Sequence, residues 1–296
     1  GLEQSLALAE RAIALDPHLS RAWVAKGYVT LRRGDFEEAV HAYRRAIEID
    51  PGDHLGHYFV GVAQHYLRRP EEAIPPFQRS LELEPRMGIG WLGLGGVFLD
   101  LGRLQESGHA FERALALESD PAVVFPTAGA ASYLAEVARL EGRATEARTL
   151  ALAGIAASEA SDHAYRDLFR GYGLGVLGRA ALDLEDAESA RAAFGQLLAM
   201  LKGRPKVRAG GHLVVRALAG LARVNASPES LDEGLALFAD RGTYSFEPFA
   251  GCLDASDLFE LALASRALGR TAEAAALLAR ARAAGSREPF PGEGPA

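Results

Sequence analysis

Apolar side chains along this chain fall on a helical rhythm. Tyr165, Leu168, Phe169, Tyr172, Val176 and Leu177 form one stripe, at the three-and-four spacing by which a helix gathers its buried face. Leu2, Leu6, Ile13 and Leu15 leave the leading segment apolar on more than one side. Breaks are equally regular. Pro17, Pro51 and Pro85 each end an apolar-periodic stretch, as expected of a residue that lacks an N–H and clashes with the preceding turn. Ser227–Pro228 reads as an N-cap followed by a first-turn proline. The pattern predicts an all-α chain.

The pattern also repeats. Gly27, Gly61 and Gly95 are evenly spaced, and Tyr43, Phe77 and Phe111 keep the same interval, as do the three prolines. Trp23 returns as Trp91 with His57 between them, and Ala39 returns as Ala73 and then Ser107. A 34-residue period is the length of one stacked helix–turn–helix unit. One such pair cannot bury its apolar face alone, so each unit must cover the next. Gly27 and Ala39 are placed where two helices of a unit cross and only small side chains allow close approach, with Trp23 and Tyr43 filling the space beside that crossing.

Trp23, Gly27, Ala39, Tyr43, Ala46 and Pro51 resemble the tetratricopeptide repeat family. Departures from its pattern stand at Lys26, Thr30, His57, Ser80 and Ser107. The resemblance implies a right-handed α-solenoid of stacked antiparallel helix pairs. Fold alone does not name a ligand.

In chain order, residues 1–19 read as the second helix of a truncated leading repeat, since Ser5, Ala9, Ala12 and Pro17 precede Ala39, Tyr43, Ala46 and Pro51 by one full period each. The expectation is that the sequence is part of something longer. Four repeats are assigned to 20–158, with about six residues inserted in Glu118–Thr127, because Gly142 follows Gly102 by 40. Degenerate helix pairs are assigned to 159–284, with a turn at Leu184–Asp186 and a break at Gly203 and Pro205. A loop is expected at 241–254 and a frayed tail at 285–296. The count is seven helix pairs plus the leading half, in an elongated particle.

Composition narrows the function. A net charge of −7 argues against a general nucleic-acid binder, which needs a basic face. Cys252 is the single cysteine, which leaves no disulfide framework and no thiolate zinc site. No apolar run approaches the roughly 20 residues that cross a bilayer, so a cytoplasmic protein without membrane contact is expected. Arginine makes up 29 of the 32 basic residues, and with the abundant Ala and Gly this suggests a GC-rich bacterial source.

Catalytic signatures are missing: there is no phosphate-binding G-x-x-x-x-G-K-[ST] loop, no H-E-x-x-H and no G-x-S-x-G. Gly93, Gly95 and Gly96 follow no strand and read as close packing. His54 and His57 share a helix face, but His65 lies eleven residues from His54, roughly 16 Å along the axis. A zinc ion holds its ligands at about 2 Å, so no metal or other cofactor is assigned. The basic run Lys202–Arg208 reads mainly as a solvated loop, and the aromatic loop Tyr244–Phe249 as packing for the last helix pair.

The resemblance places the ligand groove on the first helix of each unit. In the first full unit its positions are Arg21, Val24, Tyr28, Leu31 and Arg32; in the second, Leu55, Tyr58, Val62, His65 and Tyr66. In the third they are Ile89, Leu92, Gly96, Leu99 and Asp100. The Lys, Arg and Asn set by which some relatives capture acidic tails is not there, and Ala25, Phe59 and Gly93 stand where the sugar-transferring relatives carry an asparagine ladder. The reading is therefore a non-catalytic scaffold that binds an apolar or amphipathic protein or peptide segment. The candidate contacts are Arg21, Tyr28, Arg32, Tyr58, Val62, His65, Tyr66 and Leu92. The alternative is the sensor or regulatory arm of a larger bacterial signalling protein carrying an upstream kinase, cyclase or transcription-regulating domain. Self-association through the leading half-repeat is a further expectation.

Overall fold

The computed structural model describes residues 1–120, 122–125, 127–202, 204, 210–240 and 250–286, with the backbone alone at 250–254. Among these residues the chain forms fifteen α-helices and no strand. The leading helix is α1 (Leu2–Leu15). The pairs that follow are α2 (Ser20–Arg33) with α3 (Phe36–Ile49), α4 (His54–Tyr66) with α5 (Pro70–Leu83), and α6 (Gly88–Asp100) with α7 (Leu104–Leu117). Next come α8 (Ala130–Leu140) with α9 (Ala144–Ala160) and α10 (Arg166–Asp183) with α11 (Ala187–Lys202). The last pairs are α12 (Gly210–Asn225) with α13 (Pro228–Ala239) and α14 (Ala250–Ala267) with α15 (Thr271–Ala283). The fold is an all-α solenoid.

The repeated glycines mark the crossings. A Cβ on Gly27 would lie 2.8 Å from the Tyr43 ring, one on Gly61 2.9 Å from Phe77 and one on Gly95 2.5 Å from Phe111. Only hydrogen fits there. The three rings are buried. Phe77 is held from both sides, because Gly93 of the next unit leaves room for it as well. Where Gly93 would recur one unit earlier stands Phe59, and its ring instead stacks on Tyr43 at 5.2 Å and 12°. In the fifth unit Phe194 fits between Gly178 and Gly220 in the same manner.

The Trp–His–Trp alternation has a polar cause. Trp23 Nε1 donates to the Pro17 carbonyl at 3.0 Å, and Trp91 Nε1 to the Pro85 carbonyl at 2.9 Å. His57 Nε2 makes the equivalent contact with the Pro51 carbonyl at 3.2 Å. These rings tie the start of each first helix to the proline turn before it.

The insertion after α7 runs back along the molecule. Val124 and Phe125 carbonyls accept from the Gly88 and Ile89 amides, and Val124 N–H donates to Arg86, forming an isolated parallel bridge. Two otherwise orphaned donors at the start of α6 are thereby satisfied. Glu118 Oε1 then accepts from Ala130 N–H at 2.7 Å, capping α8.

Stacking changes at the last unit. Elsewhere a unit's second helix packs well on the next first helix, but α14 leans mainly on α12 and only lightly on α13. That tilt brings α14 against α4. The solenoid therefore closes on itself, in place of the expected elongated particle with an open groove. Positions 203, 205–209, 241–249 and 287–296 lie outside the described residues, and with them most of the basic run, the aromatic loop and the tail. Within that run Arg204 pairs with Asp167 at 2.5 Å.

Candidate functional site

The inner surface is built from the first helices α2, α4, α6, α8, α10, α12 and α14, and its two halves differ. On the N-terminal half, Arg21 is exposed, Arg32 is half-buried and Tyr28 is 50% exposed. Tyr58 is half-buried, edge-on to Phe59 and Phe77. Tyr28 and Tyr58 both lie close to Tyr43, whose phenol is pushed up first by burial and then by these two neighbours. Val62 is half-buried between the cores of the first two full units. Leu92 is half-buried.

Two candidates are otherwise engaged. Tyr66 is buried, with its ring 5.2 Å from Phe36. It closes the core between α3 and α4 and offers no face to a ligand, so the expected surface of three tyrosines reduces to Tyr28 and Tyr58. His65 is half-buried and joins Asp100 at 2.7 Å across to α6.

The C-terminal half carries a buried ionic network that reading the repeat motif missed. Glu136 on α8 meets Arg139 at 3.0 Å and Arg179 of α10 at 2.9 Å. Arg179 continues to Glu260 of α14 at 3.5 Å, and Glu260 to Arg223 of α12 at 3.5 Å. Asp257 of α14 accepts from Arg216 at 2.7 Å and pairs with His212, both on α12. Asp183 meets Arg139 at the rim, at 3.4 Å. Burial by itself raises the Glu136 carboxyl, but Arg139 and Arg179 reverse this and hold it at about 2. Asp257 is likewise raised by burial and brought below the ordinary range by His212 and Arg216. Both are therefore anions at neutral pH. Together they draw α14 towards α12 and α10. The available signal was a lone charge inside an otherwise apolar first helix: Arg179 in VLGRAAL, Arg216 in LVVRALA and Glu260 in LFELALA.

Where the two arms meet they enclose a cavity of about 370 Å³. Its lining includes the apolar Leu99, Leu104 and Leu140 and the polar or charged Glu136, Tyr172, Arg179 and Arg216. His65, Arg68 and Ala284–Ser286, just after α15, also line it. Arg68 occupies the turn position that is glycine in the neighbouring units, with φ 61° against 87° at Gly34 and 69° at Gly102. An arginine there carries backbone strain.

The profile of the tetratricopeptide repeat family matches residues 1–54 and 61–124. Over those two stretches the chain carries tetratricopeptide repeats. Solved structures extend the likeness beyond the matched stretch. The apo form of RapI is similar at TM-score 0.71 and 12% identity, covering 90% of this chain and 97% of that one. The Cut9–Hcn1 hetero-tetramer structure of APC/C gives 0.63 and 14%, over 95% of this chain and 46% of that one. A tetratricopeptide repeat protein from Parabacteroides merdae gives 0.56 and 13%, over 91% and 94%. At such identities the likeness is one of fold. No curated protein sequence matches. Among the described residues no cluster of three or more His, Cys, Asp or Glu is arranged to hold a metal, and no helix is long and apolar enough to cross a membrane. In these tetratricopeptide repeats the sequence period governs the crossings, while the ionic network is particular to the C-terminal units.

Proposed function

We propose that this protein is a non-catalytic interaction scaffold whose N-terminal repeats receive an amphipathic segment of a partner protein. The observation that carries this is Tyr28. The residue is 50% exposed on a first helix, at a position the repeat pattern assigns to the groove. Of the eight large hydrophobics exposed among the described residues, Leu2, Leu8, Leu15, Leu19 and Tyr28 all lie at this end. Such a concentration of apolar surface is the mark of a contact site. Tyrosine offers a broad contact with only two rotatable bonds to freeze. Tyr58, Val62 and Leu92 extend the stripe, and Arg21 and Arg32 stand at its edge to orient a partner's acidic side chains.

The test is a pair of variants, Tyr28→Ala and Tyr58→Ala, compared in capture of partners from the source cell and in melting temperature. Tyr28→Ala should lose capture while melting within about 0.5 kcal/mol of the parent, as exposed substitutions do. Tyr58→Ala should lose both, because its ring also packs on Phe77. Capture unchanged in Tyr28→Ala would refute the reading.

A further inference from the structure

We propose that the cavity enclosed between the two arms binds a small amphipathic carboxylate, an organic acid with a short apolar body. The proposal is independent of the partner site on the N-terminal repeats.

Hydrogen-bond supply in the cavity is lopsided. Arg179 is 5% exposed and lines the cavity, yet its Nε meets no partner among the described residues. Ser286 Oγ, also in the lining, is likewise buried without one. The carboxylates in the lining are already engaged: Glu136 accepts from Arg139 and Arg179, and Asp100 is joined to His65. Donors are left over where acceptors are used, and a buried guanidinium N–H without an acceptor is costly. The missing group must therefore bring oxygens. A carboxylate suits a guanidinium best, since charge strengthens the bond.

The rest of the lining gives the ligand its shape. Leu99, Leu104 and Leu140 share the lining with the charged groups, so the ligand needs an apolar body beside its polar end. At about 370 Å³ the cavity falls in the range of small-molecule pockets. Its lining is drawn from α4 and α6 as well as from α10, α12 and α14, so an occupant touches both arms. Binding the closed form alone stabilises that form by mass action. The acid would hold the ring shut.

The experiment measures benzoate and hexanoate binding to the full chain by calorimetry, with benzamide and hexanamide as neutral controls. Both acids should bind saturably, at least tenfold more tightly than their amides, and should raise the melting temperature. Arg179→Lys keeps the charge but removes the Nε–H and the planar fork, and should weaken the acids about tenfold. Should that variant fail to fold, Ser286→Ala lies outside the ionic network and should weaken them about threefold. Tyr28→Ala should leave acid binding unchanged. Absence of saturable binding by either acid, or equal binding of acid and amide, overturns the proposal and leaves the cavity to water. A peptide with a free C-terminal carboxylate that binds where both small acids fail overturns it too, since the carboxylate would then belong to a partner chain.

Discussion

The first three full units and the last four solve the same packing problem with different chemistry on their inner faces. In both, a glycine on the first helix receives an aromatic ring from the second: Gly61 and Phe77 in one half, Gly178 and Phe194 in the other. On the inner face they part. The N-terminal first helices meet mainly through apolar and aromatic side chains, with a half-buried His65–Asp100 contact at 2.7 Å, and the Arg69–Glu37 pair between α5 and α3, at 2.6 Å, is solvent-exposed. The C-terminal first helices join through Glu136, Arg179, Arg216, Asp257 and Glu260, all buried. Apolar contact is tolerant of direction, whereas a carboxylate between two guanidiniums accepts only a narrow geometry. The half that must bend α14 back onto α4 is the half that carries the ions.

The largest effect should come from removing one charge of that network. Asp257→Asn keeps the shape but leaves Arg216 and His212 buried beside each other without their anion. A loss of about 3–5 kcal/mol is expected in denaturant melts, the usual cost of breaking a buried pair. Glu37→Gln, which breaks an exposed pair in the other half, should cost under about 1 kcal/mol. Equal costs would abolish the distinction between the halves.

Acid should separate them next. Glu136 is held at about 2, below the roughly 4.3 of a free glutamate, and Asp257 is lowered as well. A carboxyl depressed in the folded state contributes stability above its unfolded value and loses it as pH falls through the folded one. For Glu136 alone that is worth about 2–3 kcal/mol, from the difference between its folded and unfolded values. Melts taken from pH 7 down to pH 2 should show stability falling below about pH 4.3, with hydrogen exchange rising first in α8, α12 and α14. Exchange rising first in α2–α5 would contradict this.

The crossings should then behave alike. Gly61→Leu and Gly178→Leu each force a side chain into a ring and should cost roughly 1–3 kcal/mol by overpacking. A variant that melts with the parent would show that its crossing is looser than 2.9 Å or 2.5 Å implies.

What was legible in the chain follows from this division. The repeat period is carried by glycine, aromatic and proline, which are needed wherever two helices cross and turn, so the all-α solenoid could be read from spacing alone. Tyr28 sits at a groove position and is exposed, but Tyr66, at another such position, fills the core beneath Phe36. Spacing gives the face of a helix; it does not say whether a neighbour's ring will cover that face. The ionic network was less accessible still. Glu136, Arg179 and Glu260 come from three different units far apart in the sequence, and only the tilt of the last unit makes all of them neighbours.

The smallest predicted effect concerns the position where the N-terminal units differ among themselves. Trp23 and Trp91 donate an indole N–H to a proline carbonyl six residues earlier, and His57 reproduces the contact with Nε2. The carbonyl can only accept, so His57 must carry its proton on Nε2. His57→Phe keeps a ring and removes the donor, and should cost about 0.5–1.5 kcal/mol, the net worth of one hydrogen bond. His57→Trp restores the donor and adds apolar area in a half-buried site that accepts indole in the units on either side. It should equal or exceed the parent in stability. If the ring at this position serves only as apolar filler, phenylalanine would stabilise as well as tryptophan does, and the order of melting temperatures decides between the two accounts. The expected order is Trp, then His, then Phe, with the spread confined to the hydrogen exchange of α4 and the turn that precedes it.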